Sequence, residues 1–208
     1  MTGAAPYSEM KRKMEHIAPL GFAFTLTIFP KWLVFVLAVT AIVYGLFISK
    51  RVVKGTLRDA ELEKGFSLGK AAYGIMVLIL LIIFHQRMQV LAGAWAIMAL
   101  GDGSASIFGT LWGGKKLPWN REKSWMGLFG FALIGTLACA ALLIYTHSTG
   151  DVGVTIDAAF AAFTINRIIF VALIATLICA VVETLPQPID DNIIIPALAA
   201  LLLHFFTG

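Results

Sequence analysis

Apolar residues in this chain fall into seven runs, at 17–29, 32–49, 68–84, 89–101, 125–145, 158–182 and 193–206. A membrane-spanning helix needs about 20 mostly apolar residues, so lipid rather than water is the solvent this pattern suits. The composition agrees: 59% of residues are hydrophobic and 13% charged, against roughly 25% charged in soluble domains. The runs are rich in Leu, Ala and Ile and lack period-two alternation, which excludes a barrel of strands. The expected fold is all-α, a polytopic membrane helical bundle forming one domain over residues 1–208. Only Pro30-Lys31 separates the first two runs. Two separate helices there give seven transmembrane helices; one kinked helix gives six.

Charge placement orients the bundle. With every run crossing and a cytoplasmic N-terminus, thirteen of the sixteen Lys and Arg residues fall inside: Lys11, Arg12, Lys13, Lys50, Arg51, Lys54, Arg58, Lys64, Lys70, Lys115, Lys116, Arg121 and Lys123. Lys31 and Arg87 lie outside, and Arg167 falls within a span. That asymmetry favours seven spans in an integral membrane protein, in the inner membrane if the cell is prokaryotic. The net charge of +4 then reflects topology, and no nucleic-acid partner is expected. Cys139 and Cys179 lie in apolar runs without ligand spacing, so neither a disulfide nor a cysteine metal site is expected. The polar start leads into a helix without a small-residue cleavage site, so no cleavable signal is expected. Segment 50–67 is the one long water-soluble stretch, expected as a short interfacial helix.

The same orientation brings Asp102, Glu122, Glu183, Asp190 and Asp191 to the cytoplasmic face. Topological sorting explains the lysines but not these carboxylates, whereas a reaction centre at that face explains both.

Three segments carry the chemistry. In the first, an apolar run ends at Asp102, between Gly101 and Gly103, followed by Ser106, Gly109, Gly113, Gly114, Lys115, Lys116, Lys123 and Ser124. A carboxylate at a membrane boundary is costly and marks function, and it suits Mg²⁺. Glycines let backbone N–H groups approach an anion, lysines neutralise phosphate, and a helix starting at Asn120 or at Lys123-Ser124 favours it. Gly109 to Lys116 imitates a P-loop, but lacks the final Ser/Thr and the preceding strand. The second segment, Glu183 to Asn192, holds three carboxylates and two prolines. Its acids can hold a metal or take a proton, while Asp190, Asp191 or Asn192 can equally cap the last helix. In the third, Arg12 and His16 share one helix face beside Lys13, just before the first run.

In this order, the three segments resemble the CTP-dependent lipid-alcohol kinase family of phytol, dolichol and diacylglycerol kinases, which is related to phosphatidate cytidylyltransferase. The matching text is RKMEH at 12–16, GDGSASIFGTLWGGKKLPWNREKSWMG at 101–127 and VETLPQPIDDNIIIP at 182–196, with a weaker likeness at Glu63 and Gly69. Thr110 stands where many relatives carry Arg, and Met126 where some carry Glu. The resemblance implies phosphoryl transfer from CTP, with Mg²⁺, to the terminal hydroxyl of an isoprenoid or other lipid alcohol. It implies Asp102, Asp190 and Asp191 as metal ligands, with Glu183 and Lys123 beside them as catalytic residues. Gly101, Gly103, Ser106, Gly109, Gly113, Lys115, Lys116, Ser124 and Asn192 would hold the nucleotide, and Arg12, Lys13 and His16 would close the site. The competing readings are a phosphatidate cytidylyltransferase, which keeps the CTP site but releases pyrophosphate, and a non-enzymatic transporter. The transporter would favour mid-membrane charges or repeated halves; only Arg167 fits the first, and no halves repeat. A homodimer stays open, with no interface marked in the sequence.

Overall fold

The computed structural model describes residues 8–48, 61 and 67–208. The expected interfacial helix in 50–67 lies outside the described residues, apart from Glu61 and Ser67. So do Lys50, Arg51, Lys54, Arg58, Glu63, Lys64 and the start of the chain on which the signal reading rests.

Helix α1 (Glu9–Ile17) is capped by Ser8, whose hydroxyl accepts from Lys11 N, and runs into a 3-10 segment, Ala18–Thr25. Pro30 holds an extended backbone before α2 (Lys31–Val43), which ends in a π turn, Tyr44–Ile48. Ser67 caps α3 (Leu68–Ile83). Helix α4 (Met88–Ala96) continues through a second π turn, Ile97–Asp102, into α5 (Gly103–Leu111). Ser124 caps α6 (Trp125–Thr149), and the short α7 (Ala158–Ala161) leads to α8 (Ile165–Thr184), capped by Thr164. Asp190 caps α9 (Asp191–Thr207). The described residues hold no strand, only two isolated bridges.

Among the described residues, four helical stretches are long and apolar enough to cross a membrane: Lys31–Ile48, Met88–Leu111, Trp125–Thr149 and Ile165–Thr184. Two further helices, Gly69–Ile83 and Asp191–Thr207, are apolar but shorter. The first apolar run departs from expectation. It forms the 3-10 segment and turns, and eight residues at that rise extend only about 16 Å.

Every residue of α4 is buried, and all but Gln89 are apolar or glycine, as suits a central helix. Around it pack α3, α6, α9 and the 3-10 segment, while α5 and α8 lie on α6 and α2 lies on α3. The outer faces are apolar as well: Leu137 is 60% exposed, Phe170 61% and Phe205 71%. Side chains of that kind facing outward belong against lipid.

Two sequence expectations need correction. Asp102 does not end a span, because the helix runs on to Leu111. Gly101, Gly103 and Gly109 are therefore helical and make no open phosphate cradle; a Cβ at each would meet Phe131, Ile17 and Ser124 respectively. Arg167 is not mid-span. The run 158–182 breaks between α7 and α8, leaving Arg167 exposed in the first turn of α8, its guanidinium 3.7 Å from the Phe163 ring centre.

Helices α5 and α6 approach closely at Gly127, where a Cβ would sit 2.9 Å from the Ala105 carbonyl oxygen, a backbone atom that cannot swing aside. Gly127→Ala is expected to cost about 1–3 kcal/mol, read as an earlier unfolding midpoint of the solubilised protein. Gly21→Ala, whose added Cβ meets nothing within 4 Å, is the control and should cause no such loss.

Candidate functional site

The π turn and α5 bring Asp102 to the end of the bundle where α1, the 112–124 loop and the 185–190 turn converge. Ser104 fixes this region by donating to both Gly101 O (2.9 Å) and Gly130 O (3.0 Å). Helix α1 lies across it. Lys13, itself buried, donates to Asp102 Oδ2 at 2.7 Å, and His16 Nε2 sits 3.7 Å from the same oxygen and 3.3 Å from Met98 O. Both neighbours of Nε2 are acceptors, so the imidazole proton resides on that nitrogen. Burial lowers the His16 pKa to about 4, against the opposing pull of Asp102, and the ring is neutral near pH 7.

The 112–124 loop is shaped by its backbone. Gly113 and Gly114 have φ of 54° and 86°, a left-handed region that side chains resist, and they turn the chain back after α5. Leu117 N then donates to Lys123 O and Trp125 N to Lys115 O, each at 3.1 Å, forming a small clasp that aims Lys123 inward. The clasp is tied to the end of α8: Trp119 Nε1 donates to Thr184 Oγ1 and Asn120 Nδ2 to Thr184 O, both at 3.1 Å. Neighbouring Glu183, almost fully buried, accepts from Lys123. Lys123 also lies 3.4 Å from Asp191 Oδ2, and Gln187 Nε2 donates to Asp191 Oδ1 at 2.9 Å. Burial works against the Lys123 ammonium, but Glu183 and then Asp191 outweigh it and raise its pKa above the ordinary lysine value.

Carboxylate oxygens of Asp102, Glu183 and Asp191 thus lie within 4.8 Å of one another, from three separate helices. Three like charges so close are tolerable because Lys13 and Lys123 flank them. Hard oxygen donors converging in this way suit Mg²⁺. Of the three residues expected as ligands, Asp102 and Asp191 lie in this cluster and Asp190 does not. Asp190 is exposed, and its Oδ1 accepts from Asn192 N at 2.9 Å as the cap of α9; Glu183 takes its place in the cluster.

The cluster opens into a polar cleft, which Arg12, Lys13, His16, Lys123 and Asn192 help to line. On the other side of Lys123 and Glu183, a second hollow is lined by Ser106, Gly109, Lys116 and Ser124. Lys115 lies apart from both, in a shallower hollow with Pro118 and Trp125, and Gly113 contributes only its turn. Ser124, rather than Asn120, starts the following helix. Sequence reasoning missed Trp119, Gln187 and the part Thr184 plays in anchoring the clasp. Gln187 lay in view, an amide between two prolines beside the acids, but nothing in the spacing paired Trp119 with Thr184.

Asp102→Asn leaves the buried Lys13 ammonium unpaired and is expected to destabilise the protein by about 3 kcal/mol. Lys13→Met in the same chain should recover most of that loss, as measured by a double-mutant cycle on the unfolding midpoint.

Comparison with known proteins aligns the chain with plant lipid kinases. It is 33% identical over 175 residues to a probable phytol kinase, chloroplastic, of Triticum aestivum, covering 82% of this chain and 55% of that protein. It is 30% identical over 171 residues to phytol kinase 1, chloroplastic, of Arabidopsis thaliana, covering 80% and 53%. Farnesol kinase, chloroplastic, of Arabidopsis thaliana is 35% identical over 106 residues, covering 50% and 31%. The chain spans about half the length of the phytol kinases it matches. No family model and no solved structure matches it.

Proposed function

We propose that this chain phosphorylates the terminal hydroxyl of an isoprenoid alcohol, using CTP and Mg²⁺, at the cytoplasmic face of a seven-pass membrane bundle. The observation that carries this reading is the group of three carboxylates held between Lys13 and Lys123 at the mouth of a polar cleft. Asp102, Glu183 and Asp191 are the residues that would hold Mg²⁺, which when bound supplies neutralising charge to a triphosphate. Lys123 adds a fixed positive charge where negative charge grows on the transferred group. Ser106, Lys116 and Ser124 line the adjoining hollow and offer hydroxyl and ammonium donors to phosphate oxygens. Gln187 orients Asp191, and Trp119 and Asn120 hold the loop that carries Lys123. The acceptor class is supported by relatives named phytol kinase and farnesol kinase, and the choice of CTP by the resemblance of the KLPWNREKS text.

The orientation has its own support. Lys31 Nζ donates to Val154 O and Thr27 bonds Thr149, so the chain beyond the 3-10 segment lies at the end of α6 opposite Ser124. Residues 18–30 therefore traverse the bundle, which favours seven passes over six. The carboxylates then share one end with Lys11, Arg12, Lys115, Lys116 and Arg121, as positive-inside sorting expects of the cytoplasmic side.

Purified protein in nanodiscs, given γ-labelled CTP, ATP, GTP or UTP with phytol, farnesol, geranylgeraniol, undecaprenol or diacylglycerol, tests the reading. Label should pass to an isoprenoid alcohol, best from CTP, and EDTA should abolish transfer. Formation of CDP-diacylglycerol from phosphatidate, with no alcohol labelled, would overturn the kinase reading. Glu183→Gln and Asp191→Asn are each expected to lower kcat by about a hundredfold or more. Asp190→Asn should stay within about threefold of the parent, because asparagine caps a helix as well as aspartate does.

A further inference from the structure

A further cavity runs between the α1/3-10 segment, α2 and α3. Its walls are apolar: Leu26 from the 3-10 segment, Val34 and Ala38 from α2, Val77 and Leu81 from α3. The lining extends from Val34 to Gly45 on α2 and from Gly69 to Leu81 on α3, about 16 and 18 Å of helix at 1.5 Å per residue. Among the described residues, charge gathers at the end where Arg12, His16 and Asn192 stand, and those three residues also line the cleft that holds the carboxylates, while Thr25, further along the lining, donates to Phe22 O at 2.6 Å. Two nearby polar contacts are made within the wall: Lys70 with Glu15 Oε2 at 2.6 Å, and the Tyr73 hydroxyl with Trp95 Nε1 at 2.5 Å. The His16 ring packs edge-on against Tyr73, 4.5 Å between centres, and so stands at the junction of the two cavities.

We infer that this chamber holds the hydrocarbon tail of the lipid alcohol, with the hydroxyl emerging past His16 toward Asp102. The inference rests on the proposed kinase reading and gives it an acceptor geometry: one unbranched-headed chain of farnesol to phytol length, rather than a two-tailed lipid. A chamber with charged side chains toward one end and mainly apolar walls beyond fits an amphiphile with a single small head group. The slot between α2 and α3 is walled by small residues, Ala38, Ala41 and Gly74, which leave room for a methyl-branched chain. Little of α2 is buried within the protein, so this wall faces the bilayer and a membrane-dissolved alcohol need not pass through water to enter.

Two experiments on the full chain in nanodiscs test the chamber. A diazirine-bearing geranylgeraniol analogue should label peptides covering 34–45 and 69–81, and phytol should compete while dioleoylphosphatidylcholine does not. Labelling confined to the outward faces of α8 and α9, or equal competition by the phospholipid, would overturn the inference. Ala38→Phe should fill the middle of the slot. It is expected to raise the ratio of kcat/KM for geraniol over phytol about tenfold or more, with nucleotide KM changed by no more than about twofold. An unchanged ratio would also overturn it. If the wild-type chain phosphorylates no alcohol from any nucleotide, yet the labelling and its competition by phytol persist, the chamber stands and the kinase reading falls.

Discussion

A carboxylate inside an apolar helix is stable only if a countercharge and hydrogen bonds replace the water it has lost. Asp102 meets that requirement through Lys13, at 2.7 Å, and through His16 close by. Much of the molecule follows from this pairing. It fixes α1 across the bundle end, brings Arg12 and His16 to the cleft, and leads the 3-10 segment away along the side of α4. The π turn before Asp102 belongs to the same arrangement: it contains Met98, whose carbonyl accepts from His16, and such turns recur at functional sites.

The second half of the cluster is assembled from segments far apart in the chain. Glu183 ends α8 and Asp191 begins α9, and both are neutralised by Lys123 from the clasp before α6. Thr184 connects the two by holding Trp119 and Asn120. Lys13 and Lys123 thus offset two of the three carboxylate charges, which lets the group converge in the low-dielectric bundle with one negative charge left over. The apolar chamber meets this cluster at His16, so a hydrocarbon tail and a charged nucleotide can each occupy a region of matching polarity.

The helical architecture was legible in the apolar runs, and the grouping of the three motif segments in their shared membrane face. Finer placements were not. Asp102 between two glycines reads as a turn, because sequence alone does not reveal that Phe131 and Ile17 pack where side chains at 101 and 103 would be. Asp190 and Asp191 are adjacent and chemically identical. Which of them caps α9 depends on the backbone after Pro188, and the capping bond to Asn192 N falls to Asp190. Glu183 joins the cluster because Thr184 anchors the clasp carrying Lys123, a contact between residues more than sixty apart in sequence. Arg167 looked mid-span because the apolar count runs straight through Phe163 and Thr164, where the helix starts afresh.

The central claim is that Asp102, Glu183 and Asp191 form one divalent-cation site that works with a nucleotide. Electron paramagnetic resonance of Mn²⁺, titrated into the full chain with a non-hydrolysable CTP analogue, addresses it directly. The expected result is a single tightly held ion in the wild-type protein, lost in a Glu183→Gln/Asp191→Asn double variant and retained in Asp190→Asn. Equal Mn²⁺ binding by wild type and the double variant would contradict the account.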